Sequence, residues 1–113
     1  MHELSIAMNI IDIASEQAKI NNFATIDEVE IEIGTLSGVE IEALKFAMEI
    51  ATKNTILENA IIKIIKIISK AHCLNCSNEF ETDNLFAQCP ECNQLNFQII
   101  QGLELVVKSI SVY

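Results

Sequence analysis

Residues 26–34 read IDEVEIEIG. Val29, Ile31 and Ile33 alternate with Glu28, Glu30 and Glu32. Successive side chains on a strand point to opposite faces, so this spacing predicts a strand with one buried and one wet face, closed by Gly34. A strand with one dry face needs a layer to cover it, and the flanking sequence supplies two helices.

Upstream, Ser5, Asn9, Asp12, Glu16 and Lys19 recur at steps of four and three, the polar stripe of a helix over residues 4–20. Leu4, Ile6, Ala7, Met8, Ile10, Ile11, Ile13 and Ala14 fill the remainder, an apolar surface wide enough to lie across a sheet. INNF at 20–23 ends it. Downstream, SGVE at 37–40 fits a capping box, with Ser37 and Glu40 each serving a free backbone N–H. A second helix is expected from there to about Asn54. Glu42, Lys45, Glu49 and Lys53 should face out, and Phe46, Ala47 and Ile50 in.

AIIKIIKII at 60–68 is dominated by β-branched residues and predicts a second strand. Lys63 and Lys66 are three apart and break strict alternation, which points to a bulge or to burial on both faces. On an open edge such a segment invites aggregation, so a central place in the sheet is expected. GLELVVKSISVY at 102–113 reads as a third strand. The expected fold is α/β (α+β): two helices on a small mixed three-stranded sheet, with a small subdomain inserted before the last strand. Residues 1–70 and 101–113 would form one unit and residues 71–100 the other.

The chain has 113 residues, half of them apolar, enough for one packed domain with a small appendage. Its net charge is −9, and Arg is absent. Nucleic-acid binding needs clustered cations against phosphates, so DNA, RNA and anionic membranes are not expected partners. The acidic start lacks the basic stretch of a secretory signal, and the richest apolar run is too short and too charged to span a bilayer. A cytoplasmic protein is expected, in a compartment where cysteines serve as metal ligands or redox groups rather than disulfides.

Residues 72–98 differ in character, with no Lys and few large apolar residues. Phe80, Leu85, Phe86, Leu95 and Phe97 are too few to fold the segment by burial. CLNC at 73–76 and CPEC at 89–92 supply what is missing. In each turn both sulfurs can face one point, and two turns give four thiolates for a tetrahedral Zn(II). Metal binding would then provide the folding energy. Four thiolates can also hold iron or pair as two disulfides; the expected compartment opposes the second, and the lack of a redox partner favours zinc over the first. With four sulfurs on the ion no coordination position stays open, so the zinc at Cys73, Cys76, Cys89 and Cys92 is structural. His72 is superfluous as a ligand. The inserted subdomain thus reads as a zinc ribbon, and Glu79, Glu81, Asp83 and Glu91 make the ribbon acidic, which suits protein contacts.

The chain opens MHEL. The Met1 amine, the His2 amide nitrogen and the His2 ring Nδ1 can close adjacent five- and six-membered chelate rings on one ion, with the Glu3 amide or carboxylate completing a plane. Such nitrogen and oxygen donors favour Ni(II) or Cu(II). The helix dipole opposes a cation there. The same residues also make an ordinary helix start, with Glu3 as a favourable anion.

The amino-terminal MHE, the amphipathic helix, IEIGTLSGVE at 31–40, the CxxC…CPxC pair and the closing GLEL at 102–105 together resemble the HypA family of nickel metallochaperones for hydrogenase maturation. The resemblance runs in order through nearly the whole chain. It implies Ni(II) at the Met1 amine and His2 with Glu3 assisting, structural Zn(II) at the four cysteines, and delivery of nickel to the large subunit of a [NiFe]-hydrogenase together with a nickel-handling GTPase, in some organisms also to urease. Glu40 lies where some members carry an acidic residue proposed as a further nickel ligand; its capping-box role is the competing assignment. Twelve residues, 77–88, separate the two cysteine pairs, where other members have one more or fewer. No enzyme is expected, since neither a phosphate loop nor a Ser–His or Cys–His nucleophile is present. The alternatives are a zinc-ribbon adaptor without transferable metal and a rubredoxin-like electron carrier.

Overall fold

The computed structural model describes residues 2–113. The chain runs α1 (Glu3–Ile20), β1 (Glu28–Gly34), α2 (Ile41–Ala51), β2 (Ile61–Ile67), β3 (Lys70–Cys73), β4 (Glu79–Glu81), β5 (Phe97–Gln101) and β6 (Leu105–Ser111). Two three-stranded sheets result, ordered β2-β1-β6 and β4-β3-β5. The first is mixed: β1 pairs parallel with β2 and antiparallel with β6.

The alternation of β1 is realised as read. Val29, Ile31 and Ile33 are fully buried, while Glu30 and Glu32 stay on the wet face, within 3.8 Å of Lys63 and 3.6 Å of Lys108. Helix α1 joins the core of the dry face through Ile6, Ala7, Ile10, Ile11, Ala14 and Ala18 and packs against α2 and β6. Its apolar surface is wider than its contact, so Leu4, Met8 and Ile13 are exposed.

Helix α2 departs from expectation in three ways. It ends at Ala51, short of Asn54, where the Thr52 N–H and hydroxyl both donate to the Met48 carbonyl. Its inner face is Leu44, Ala47 and Met48, and Phe46 and Ile50 lie outside, 64% and 51% exposed. The capping box does not form: Glu40 is itself the residue before the helix, without a side-chain cap, and the Ser37 hydroxyl accepts from the Val39 N–H at 3.3 Å. Gly38, at a φ of +81°, turns the chain between Ser37 and the helix, so the helix starts later than the motif required.

Strand β2 lies at an edge, not in the centre, because β6 takes the other side of β1. Nor does it bulge: its pairing runs unbroken from Glu28↔Ile61 to Gly34↔Ile67, and the irregularity falls in the β1–β6 pairing, between Glu30 and Ile31. Ile62 and Ile64 pack on the core, and exposed Lys63 and Lys66 guard the edge against further pairing.

The chain leaves the first sheet after β2 and returns before β6, and both crossings meet the end of β1. The Thr35 hydroxyl bonds the Ser69 hydroxyl and accepts from the Ser69 N–H, Leu36 N–H donates to the Gly102 carbonyl at 2.8 Å, and Thr82 N–H to the Ser69 carbonyl at 3.1 Å. Gly34 and Gly102 touch backbone to backbone, with Gly102 at a φ of +109° against fully buried Ser69. No helix among the described residues is long and apolar enough to cross a membrane.

Candidate metal centre

The second sheet is too small to bury much. Ala71, Cys73 and Cys89 are its buried apolar residues, and Phe80 meets Phe97 edge to face at 5.8 Å between ring centres. Each cysteine pair sits on a tight turn that reverses through a left-handed residue, Ser77 (φ 65°) after Cys76 and Asn93 (φ 60°) after Cys92. The turns close with Cys73 N–H on the Asn78 carbonyl at 2.8 Å and Cys89 N–H on the Gln94 carbonyl at 3.0 Å.

These turns bring Cys73, Cys76, Cys89 and Cys92 together, every sulfur within 4.8 Å of the others. Cys73 Sγ lies 3.5 Å from Cys92 Sγ, and Cys76 Sγ 3.6 Å from Cys89 Sγ. A tetrahedral ion with metal–sulfur bonds of about 2.3 Å holds its sulfurs about 3.8 Å apart, so the donor set fits. Cys73 and Cys89 are buried, Cys92 is half-buried and Cys76 exposed.

Among themselves the sulfurs hold protons unequally. The Cys76 backbone N–H, 3.5 Å from Cys73 Sγ, is the chief influence on Cys73 and lowers its pKa against the cost of burial. Burial opposes the Cys89 thiolate most, but the Cys92 and Glu91 backbone amides and the neighbouring thiols bring it down to about 6. At Cys76, an exposed residue, the Asn78 backbone amide favours the thiolate, yet desolvation of the sulfur among the other three and hydrogen bonds with Cys89, Cys73 and Cys92 outweigh it and push the pKa up to about 12. A bound cation removes this conflict, since all four sulfurs then face positive charge.

His72 lies outside the sulfur cluster, its Nδ1 3.9 Å from Glu79 Oε2. Sequence spacing gave no hint of the side-chain amides of Asn75 and Asn78, which reach Cys92 and Cys89 at 3.9 Å. Their one signal is their position, inside and just after the first turn.

At the other end of the chain His2 is the exposed residue before α1, extended, with no side-chain cap, and its carbonyl accepts from the Ile6 N–H at 3.1 Å. Glu3 opens the helix. Glu40 is exposed at the start of α2, which packs against α1. The expected role of the Met1 amine falls outside the described residues. Among those described, the four cysteines are the group that gathers three or more metal-ligating side chains; His2, Glu3 and Glu40 form no such group.

A four-sulfur centre on paired cysteine turns, carried by an α+β unit, defines a small metal-binding protein. The family model described as "Hydrogenase/urease nickel incorporation, metallochaperone, hypA" matches residues 1–112. Relatives named hydrogenase maturation factor HypA include one from Parabacteroides distasonis, 43% identical over 99% of this chain and 97% of its own, and one from Prosthecochloris aestuarii, 36% identical over 99% of both. The solution structure of the Ni metallochaperone HypA from Helicobacter pylori is similar with a TM-score of 0.69, at 28% identity over 97% of this chain and 96% of that one. The chain belongs to the HypA family of nickel-incorporation metallochaperones.

Proposed function

We propose that this chain binds Ni(II) at its amino terminus as cargo and passes it by protein contact to the large subunit of a [NiFe]-hydrogenase, with a nickel-handling GTPase as co-worker and urease as a second recipient. The observation that carries the reading is the family match over residues 1–112, which includes the MHE start. The ligands would be the Met1 amine, the His2 amide nitrogen and ring Nδ1, with Glu3 completing the set. The first N–H groups of a helix have no partner within it, so an amide at this point can give up its proton to a metal without breaking the helix. Glu40 is exposed and free of a capping role, which leaves its carboxylate available as a further oxygen donor. The protein transfers an ion and makes or breaks no covalent bond, so we read it as a cytoplasmic carrier, not an enzyme.

The four cysteines would hold a structural Zn(II). Zinc there supplies no reactive position; it fixes the ribbon. The ribbon is then a unit of residues 71–100 set on a nickel-binding unit of residues 1–70 and 101–113, in keeping with a second sheet that spans Lys70 to Gln101.

Elemental analysis and nickel titration of the untagged protein test both metals. One tightly held zinc per chain and one exchangeable nickel are expected. One residue added before Met1 should weaken nickel strongly while zinc stays in place. Unchanged nickel affinity in that extended chain would refute the terminal site, and visible thiolate-to-iron absorption in place of zinc would turn the cysteine centre into an electron carrier.

A further inference from the structure

The two cysteine turns are near-copies in backbone and unlike in side chains. Each closes with the same pair of hydrogen bonds: Ser77 N–H to the Cys73 carbonyl at 3.0 Å and Asn93 N–H to the Cys89 carbonyl at 2.8 Å repeat the match already seen at Asn78 and Gln94. Asn75 of the first turn occupies the place of Glu91 in the second, and Asn78 that of Gln94. Asn75 Nδ2 donates across the centre to Cys92 Sγ, and Asn78 Nδ2 to Cys89 Sγ, each at 3.9 Å. Both amides therefore run one way, from the first turn to the sulfurs of the second. Glu91 could not return the contact, since a carboxylate only accepts.

Four thiolates on a divalent ion leave a net charge of about −2. An N–H donor on a thiolate draws off part of that charge, and it does so most where water does not already serve. Cys89 is buried and Cys92 half-buried, while Cys76 is open to solvent. We propose that Asn75 and Asn78 are positioning residues of the metal centre, whose amides hold the Cys89 and Cys92 thiolates on the ion and set how slowly it is released. The inference rests on the zinc reading of the cysteine centre.

Asn→Asp exchange separates donation from packing, because size is kept and the donor is lost. Full-length zinc-loaded protein is mixed with an excess of chromogenic chelator and zinc release is followed. Asn75→Asp and Asn78→Asp should each release zinc about tenfold faster than wild type or more, given the usual strength of hydrogen bonds to charged groups. Asn→Ala should fall between. In the Co(II)-substituted proteins the thiolate-to-metal charge-transfer bands should move to lower energy in the Asn→Ala variants, which lose the donor without gaining a charge, and further in the Asp variants, a shift that a merely structural contact would not cause in the Ala variants. Wild-type protein loaded with ¹¹³Cd provides a check independent of any variant: the Asn75 and Asn78 side-chain amide protons should show scalar coupling to the metal through sulfur. Zinc release at the wild-type rate with unmoved bands would overturn the proposal, as would absence of that coupling. A wild-type chain that takes up no zinc would instead overturn the reading beneath it.

Discussion

Replacing Gly102 with Ala probes the joint where both crossings between the sheets meet the end of β1. The residue sits at a φ of +109°, and a Cβ there would overlap the Ser69 side chain and Cα. Holding an L-residue in that backbone region costs about 1–3 kcal/mol. Overpacking against a site that cannot collapse adds about 1–3 kcal/mol, and the obstacle here is partly backbone. The sum, about 4 kcal/mol, corresponds to a fall in melting temperature of about 15 °C for a chain of this size. Gly38→Ala is the control, since Gly38 has a φ of +81° but open space around the missing Cβ. It should lose only the conformational part, about 1–2 kcal/mol. Thermal melts of the zinc-loaded proteins, followed by far-UV circular dichroism, compare the two directly. If Gly102→Ala melts no lower than Gly38→Ala, the close approach of Gly102 to Ser69 does not limit stability and the account of the joint is wrong.

Cys76→Ala and Cys92→Ala should each release zinc and melt the second sheet while the sheet around β1 persists; undiminished zinc in both by elemental analysis would refute the ligand set. Zinc must displace protons from sulfurs, among them the Cys76 thiol held up near 12, so zinc affinity rises with pH and falls on acidification. Competition titrations at pH 7.5 and 5.5 should differ by about a hundredfold or more, and equal affinities would mean that no thiol proton is lost. Lys63→Val removes a charge from the open edge of β2 and should bring concentration-dependent association, seen as a rise in light scattering that wild type lacks.

What could be read from sequence depended on how local the determining physics was. The face of β1 was legible because glutamates mark every second position of a strand whose partners lie on both sides. On the inner face of α2 only Ala47 was legible, because ALKFAM at 43–48 carries apolar residues around most of the helix, and Leu44 and Met48, four apart, join it there in place of Phe46 and Ile50. The place of β2 depends on which strand takes the far side of β1, and that strand, β6, is separated from it by the whole ribbon. Strands β3 to β5 are three to five residues long and owe their pairing to the cysteine turns, so no periodicity announces them. The gathering of the four sulfurs at one point was legible from spacing alone. The amides of Asn75 and Asn78 emerged only once the two turns faced each other.

Calorimetric titration of Ni(II) into the untagged wild-type chain and into His2→Ala tests the central claim most directly. His2 is exposed and caps nothing with its side chain, so its removal should leave the fold and the zinc content unchanged. Wild type should take up one nickel tightly, and His2→Ala should lose tight binding altogether. Equal affinity in the two proteins would make the MHE start an ordinary beginning of a helix and contradict the assignment of the amino terminus as the nickel site.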